Sequence, residues 1–377
     1  MDFNLSEEQS AIAEMANSLF TDTCTDDFLR DYDEAGQGTM TQLWNSCIET
    51  GLHGVIIPEA TGGIDLGMTE LSLVLQAQGG ALGQVPLWRH QLVATAIAKF
   101  AGTGLQTVAQ AAAEGTNLLT LAFNLVNTHS EATLNVEKTD DGLSINGLVQ
   151  SVAVAGLADF VLLPLTLDGQ TRWALVATTA PGLTLVKGQM TQGEEVADLQ
   201  LNNLLVSNAA LLDSKANDWL VPRIFASLAS LQLGVSEAQI KKTVEYISER
   251  QQFGRAIGTF QAVQMTMADT KIALEALRSN VWQLCYRLDN NLGCDHEALA
   301  TAWHACEAGH SIGHKAQHVH GGFGVDVSYV IYRYLYWSRA ISLNLGGSPA
   351  LLAKLGDALT ENNKLGWKYD LDENNAI

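Results

Sequence analysis

The stretch ERQQFGRAIGTFQAVQ, residues 249–264, interrupts two helical patterns. Ahead of it, SEAQIKKTVEYIS places Ile240, Val244 and Ile247 on one face, while Lys241, Lys242 and Glu245 lie elsewhere, as in a helix with one buried side. Behind it, TFQAVQMTMADTKIALEALRSNVWQLCYRL and EALATAWHACEAGHSIGHKAQHV continue as long helices. From 116 to 212 the pattern changes to short β-rich runs broken by turn residues: LLTLAFN, ATLNVEKTDDGLSING, ADFVLLPL, RWALVATT and GLTLVKG. Leu134 and Val136 before the Asp-Asp-Gly turn and Leu143 and Ile145 after it alternate with polar residues, which predicts a hairpin with one buried face. Residues 1–115 are helical again. Ser6 and Gln9 form a capping-box pattern ahead of Ile12, Met15 and Leu19, and GLHGVIIPEATGGIDLG (51–67) is a Gly/Pro-punctuated loop between two helices. The predicted division is therefore 1–115 helical, 116–212 β and 213–377 helical.

A chain of 377 residues with 47% hydrophobic content can bury a large core and hold two or three domains. No apolar run is long enough to span a bilayer, and the opening MDFNLSEEQSAIAEMA carries acids where a signal peptide carries base, so a cytoplasmic protein is expected. Five cysteines without CxxC spacing suggest buried thiols rather than disulfides or a zinc knuckle. The net charge of -20 argues against nucleic acid and anionic membrane as partners, so an anionic ligand would need a local basic site.

Three stretches together resemble the acyl-CoA dehydrogenase family: GLHGVIIPEATGGIDLGMTELSLVLQAQGGALGQVPL (51–87), ERQQFGRAIGTFQAVQ, and HVHGGFGVDVSYVIYRYLYWSRA (318–340). The resemblance covers nearly the full length. It implies an α+β multidomain fold with an N-terminal helical domain, a middle β-barrel and a C-terminal four-helix bundle, in tetramers that bind FAD and coenzyme A thioesters. The family's reaction needs a carboxylate to remove the proton α to the thioester and a flavin to take the β-hydrogen as hydride.

Aligned on YLYWSRAISLNLGGSPA, the family's usual glutamate falls on Gly346. Some members carry the base on the helix before the RxxFG motif, a position that falls near Ile224 and Phe225 here. Neither place offers an acid, so no catalytic residue is assigned. A Gly-Gly turn also simply permits positive φ before a helix, and both readings of Gly346 hold together.

For the flavin, the resemblance assigns Arg250, Gln252 and Phe253, with Gln261, to a site reaching the FAD of a neighbouring subunit. A guanidinium there can bind the pyrophosphate bidentately on an otherwise repelling protein. Gly321 and Gly322 would let the backbone approach the dinucleotide, with His318 where the family has glutamine. The ring pocket departs further: Phe123 and Asn124 stand where Thr and Glu are usual, and Ser151 and Ala153 where a tryptophan and a threonine would cover the ring.

His310, His314 and His318 repeat every four residues on one helix face. Without a Cys, Asp or Glu completing a motif, bundle packing or nucleotide contact is the expected role and no metal is assigned. The chain is read as one subunit of a heteromeric, FAD-dependent acyl-CoA dehydrogenase acting on a bulky acyl-CoA. It resembles the base-lacking subunit of α2β2 assemblies of steroid side-chain degradation. The partner would be a homologous subunit carrying the catalytic Glu, and electrons would pass to an electron-transfer flavoprotein or oxygen. A homotetramer with base-independent chemistry, as in the desulfinase branch, and a non-catalytic scaffold are the alternatives.

Overall fold

A computed structural model describes residues 4–36, 38–123 and 134–361. Along the sequence the order is helical, sheet, helical, as the sequence predicts. Helices α1 (Glu7–Thr23), α2 (Asp26–Glu34), α3 (Thr41–Glu49), α4 (Met68–Ala81), α5 (Leu87–Phe100) and α6 (Gln106–Ala113) precede strands β1 (Leu119–Leu121), β2 (Asn135–Thr139), β3 (Gly142–Ala153), β4 (Phe160–Leu167), β5 (Gln170–Ala177), β6 (Leu183–Gln189) and β7 (Glu195–Ser207). Then follow α7 (Ala216–Glu249), a two-stranded ribbon of β8 (Gln251–Gln252) and β9 (Arg255–Ala256), and α8 (Gln261–Asp289), α9 (Asp295–His320), α10 (Ile331–Asn344) and α11 (Ser348–Glu361). Among the described residues no helix is long and apolar enough to cross a membrane.

The chain divides into two compact units. One comprises residues up to Glu34, Met68–Gly83 and the chain from Phe225 onward; the other comprises Ala35–Gly67 and Gln84–Ile224.

In the first unit, the capping box at Ser6 is formed: Gln9 N donates to Ser6 Oγ at 3.1 Å and Ser6 N to Gln9 Oε1 at 3.0 Å. The start of α4 is capped from a distant helix. Asp289, the last residue of α8, accepts from the backbone N–H of Met68 (2.6 Å) and Thr69 (3.0 Å) and from the Thr69 hydroxyl (2.6 Å), satisfying donors that a helix start leaves unpaired. Helices α4 and α7 cross with backbones nearly in contact. A Cβ on Gly79 would lie 2.3 Å from Leu231 O, and one on Gly234 would lie 2.0 Å from Gln76 O, so each helix offers a glycine to the other's carbonyl. The same device holds α9, where Gly309 faces the Gln232 amide of α7 and Gly313 faces Leu335 of α10. In the aromatic run of α10, Tyr334 and Trp337 are buried, with Tyr334 Oη donating to Gly80 O at 3.1 Å.

In the second unit the β segment forms two sheets, ordered β1-β4-β5 and β2-β3-β7-β6, that share one apolar core. The expected hairpin is β2–β3, with Val136 opposite Ile145 and Asp140-Asp141 at its turn. The 51–67 loop owes its shape to its glycines: Gly62 has φ +97, and a Cβ on Gly63 would lie 2.1 Å from Ile57 O. Helix α5 is buried from Leu87 to Ile97, including Arg89, whose guanidinium pairs with Glu194 at 2.8 Å.

His90, also on α5, is fully buried beside Trp44 and His53. One ring nitrogen, Nε2, donates to Ala112 O (3.1 Å) and the other accepts from Leu119 N (3.3 Å), so the neutral ring is satisfied. Burial, then the neighbouring His53, push the imidazole down to about 3, and burial also lowers His53. A depressed basic group leaves stability intact above the unfolded value, near 6.5, and removes it as pH falls from there toward 3, because the unfolded chain then takes up the proton first. Urea unfolding is expected to show stability falling by about 2 kcal/mol from pH 6.5 to 5, a slope that His90→Gln should reduce.

Candidate functional site

The stretch that interrupts the helices builds a pocket at the end of the first unit. Helix α7 runs out at Glu249, with Arg250 N still donating to Tyr246 O at 2.9 Å. The chain then turns back on itself. Gln252 pairs with Arg255 across the β8–β9 ribbon, and its two turn residues, Phe253 (φ +53) and Gly254 (φ +78), both take the left-handed backbone of a tight hairpin. For a phenylalanine that conformation is strained, and the ring is 92% exposed. Ile257 N returns to Arg250 O at 2.8 Å, and α8 starts after Phe260.

The opposite wall is the end of α9. The helix stops at Gly321, whose φ +59 and ψ -134 only glycine adopts readily, and a short turn spans Gly321–Val325. The glycines of this turn differ in role. A Cβ on Gly321 or Gly322 would meet nothing within 4 Å, leaving the backbone open to a ligand, whereas one on Gly324 would lie 2.5 Å from the Gln317 amide, so Gly324 serves packing.

Between these walls lies an open pocket of about 720 Å³. It brings together Arg250, Gln252, Phe253, His318, Gly321 and Gly322. Gln261 is exposed in the first turn of α8, between the lining residues Phe260 and Ala262, and does not itself line the pocket. His318 is exposed.

Arg250 is exposed, and its guanidinium lies 5.5 Å from the centre of the Phe323 ring; among the described residues it makes no ion pair. A cation held by an aromatic face rather than a carboxylate keeps its donors for an incoming anion. At the rim, Asp326 accepts from Ser328 N (2.9 Å) and Ser328 Oγ (2.8 Å), which hold its carboxyl below the usual carboxylate range.

Several of the lining residues carry no role in the sequence reading. Tyr246 stacks on His320 at 4.3 Å with 23° between the rings. His320 is 2% exposed, its Nδ1 donates to Ala316 O at 2.8 Å, and its buried Nε2 has no partner. Burial lowers its proton affinity and keeps it neutral. Tyr246 stands four residues before Arg250, one turn away on the same helix face, and that spacing is the signal by which it could have been found.

At the positions where the resemblance places a base, the geometry is that of a helix end and a core. Gly346 N donates to Leu343 O (3.0 Å) and Gly347 N to Ser342 O (2.9 Å), with φ of +87 and +78. This is a Schellman ending of α10, and Leu345 before it is fully buried. Ile224 and Phe225 are 0% and 2% exposed. Ser151 is exposed at a register shift between β3 and β7, with φ +56, and Ala153 is buried. Asn124 lies outside the described residues.

The sequence matches the acyl-CoA dehydrogenase N-terminal domain over residues 6–107 and the acyl-CoA dehydrogenase C-terminal domain over residues 226–359. Acyl-CoA dehydrogenase FadE27 of Mycobacterium tuberculosis is 31% identical over 373 residues, covering 96% of this chain and 99% of that protein. Among solved structures, a chain of the ChsE4-ChsE5 complex from Mycobacterium tuberculosis superposes with a TM-score of 0.91 at 31% identity, covering 96% of this chain and 100% of that one. A chain of a Tcur3481-Tcur3483 steroid ACAD variant does so with 0.88 at 33% identity, covering 95% of this chain and 99% of that one.

Proposed function

The chain belongs to the acyl-CoA dehydrogenase family, and from that we propose that it is one subunit of a heteromeric, FAD-dependent acyl-CoA dehydrogenase whose catalytic base sits on an unlike partner. The observation that carries this reading is a combination. Residues 343–350, LNLGGSPA, contain no acid, yet the Arg250 pocket is open and its guanidinium unclaimed by any described carboxylate.

The residues present suit a dinucleotide. Arg250 would pair bidentately with the pyrophosphate, and the uncrowded backbone at Gly321 and Gly322 would lie against it. The exposed Phe253, held in a strained turn, would reach a neighbouring subunit. Bound FAD would supply the hydride acceptor for α,β-dehydrogenation. The proton α to the thioester would leave to a carboxylate of the partner, since a glycine that ends a helix has no group to receive it. The similarity to a complex of two named chains and to a steroid ACAD favours an unlike partner and a bulky, steroid side-chain type of acyl-CoA as substrate. An electron-transfer flavoprotein or oxygen would reoxidise the flavin.

The visible spectrum is the direct test. Produced alone, the chain should purify with little or no flavin; co-produced with a homologous chain that carries the glutamate, it should be yellow and dehydrogenate acyl-CoA. Full flavin binding and turnover by the chain alone would overturn the proposal.

A further inference from the structure

Helix α9 carries a second constellation, in the turns that precede the pocket residue His318. His310 and His314 are exposed one turn apart, and their rings meet edge-on with centroids 4.4 Å apart and 61° between planes. The sequence leads to an expectation of bundle packing or nucleotide contact for these histidines, and both rings are exposed. Among the described residues, no hydrogen bond engages either ring.

We propose that His310 and His314 form a chelating site for a borderline divalent transition cation such as zinc, nickel or copper on the outer face of α9. Four residues of helix rise about 6 Å and return to the same face, which lets two imidazoles grip one ion. The face is fixed. Gly309 and Gly313, each one residue before a histidine, are buried against Gln232 and Leu335, so the helix cannot roll to turn the imidazoles inward.

The donor set decides the class of ligand: two exposed imidazoles facing each other one helical turn apart offer nitrogen lone pairs to a single ion, as metal ligation requires. A phosphate would instead want protonated imidazoles beside Arg339. No set of three His, Cys, Asp or Glu side chains converges on a metal among the described residues, so water would complete the coordination. Imidazole ligands select zinc, nickel and copper over magnesium and calcium, and the order of affinity should place copper above nickel and manganese last.

The test titrates zinc chloride against the untagged full chain at pH 7.5, in competition with a chromophoric chelator, with far-UV circular dichroism to confirm folding. One zinc per chain is expected. His314→Ala should weaken binding by about tenfold or more, which is 1.4 kcal/mol or more. His296→Ala, on the same helix, should leave it unchanged, and Arg339→Gln should strengthen it by removing a repelling charge. The proposal is overturned if the His310→Ala/His314→Ala double variant binds zinc as the parent does. It is equally overturned if Arg339→Gln weakens zinc binding, or if inorganic phosphate rather than zinc binds in an Arg339-dependent way.

Discussion

Alanine at Arg250 is expected to strip flavin from the assembled complex while leaving the chain folded and able to associate. The guanidinium rests on the Phe323 ring and takes part in no described ion pair, so its removal breaks no structural bridge. What it would remove is the charge facing a dianionic pyrophosphate on a chain of net charge -20. Truncating one partner of such a charge pair costs about 2–5 kcal/mol, so flavin affinity should fall by roughly thirtyfold or more, and dehydrogenation with it. Arg250→Lys keeps the charge but loses the planar fork, and should lie between the parent and the alanine variant. Flavin absorbance retained after gel filtration, read beside the thermal unfolding of each variant, separates a binding effect from a folding one. Undiminished flavin in Arg250→Ala would remove this arginine from the site.

The largest stability effect is expected at Gly234. Its missing Cβ leaves room for Gln76 O of α4, which such an atom would approach to 2.0 Å, and the opposing contact is a carbonyl rather than the movable end of a side chain. Gly234→Ala must therefore push two core helices apart, losing packing along both. Overpacking of this kind costs about 3 kcal/mol or more. Gly80→Ala is the internal control. Its Cβ would meet Gly234 O only at 3.6 Å, an ordinary contact, and alanine favours the helix by about 0.5–1 kcal/mol, so this variant should be neutral or more stable. Urea midpoints for the two variants should move in opposite senses; equal shifts would mean that the glycine crossing does not set the helix spacing.

The order of helix, sheet and helix was legible because long helical runs and the local capping box at Ser6 carry their own signals, but the face read on 236–248 is not the buried one: Val244 is 44% exposed, while Gln239 and Thr243 are buried. The strand β7, Glu195–Ser207, was not among the runs read as β, although it lies between β3 and β6 in its sheet. Its VADLQL alternation obeys a period of two, but Asn202 and Asn203, the latter at φ +48, interrupt the apolar face and read as a turn. At the site, Arg250, Phe253 and the double glycine could be read because they sit close together in short motifs. His320 and Asp326 could not, because their place depends on the α7 and α9 ends meeting in space, and Tyr246 only through its four-residue spacing from Arg250. The buried histidines His53 and His90 likewise gave no sign: what makes them neutral is burial, and the carbonyls of Ala113 and Ala112 that accept from their rings are set opposite them by α6.

The pairing of this chain with an unlike, acid-bearing subunit is tested most directly by native mass measurement of the co-produced complex together with its flavin count. Equal numbers of the two chains, with FAD held only when both are present, is the result expected. A tetramer of this polypeptide alone, carrying one FAD per chain and dehydrogenating an acyl-CoA, would contradict it.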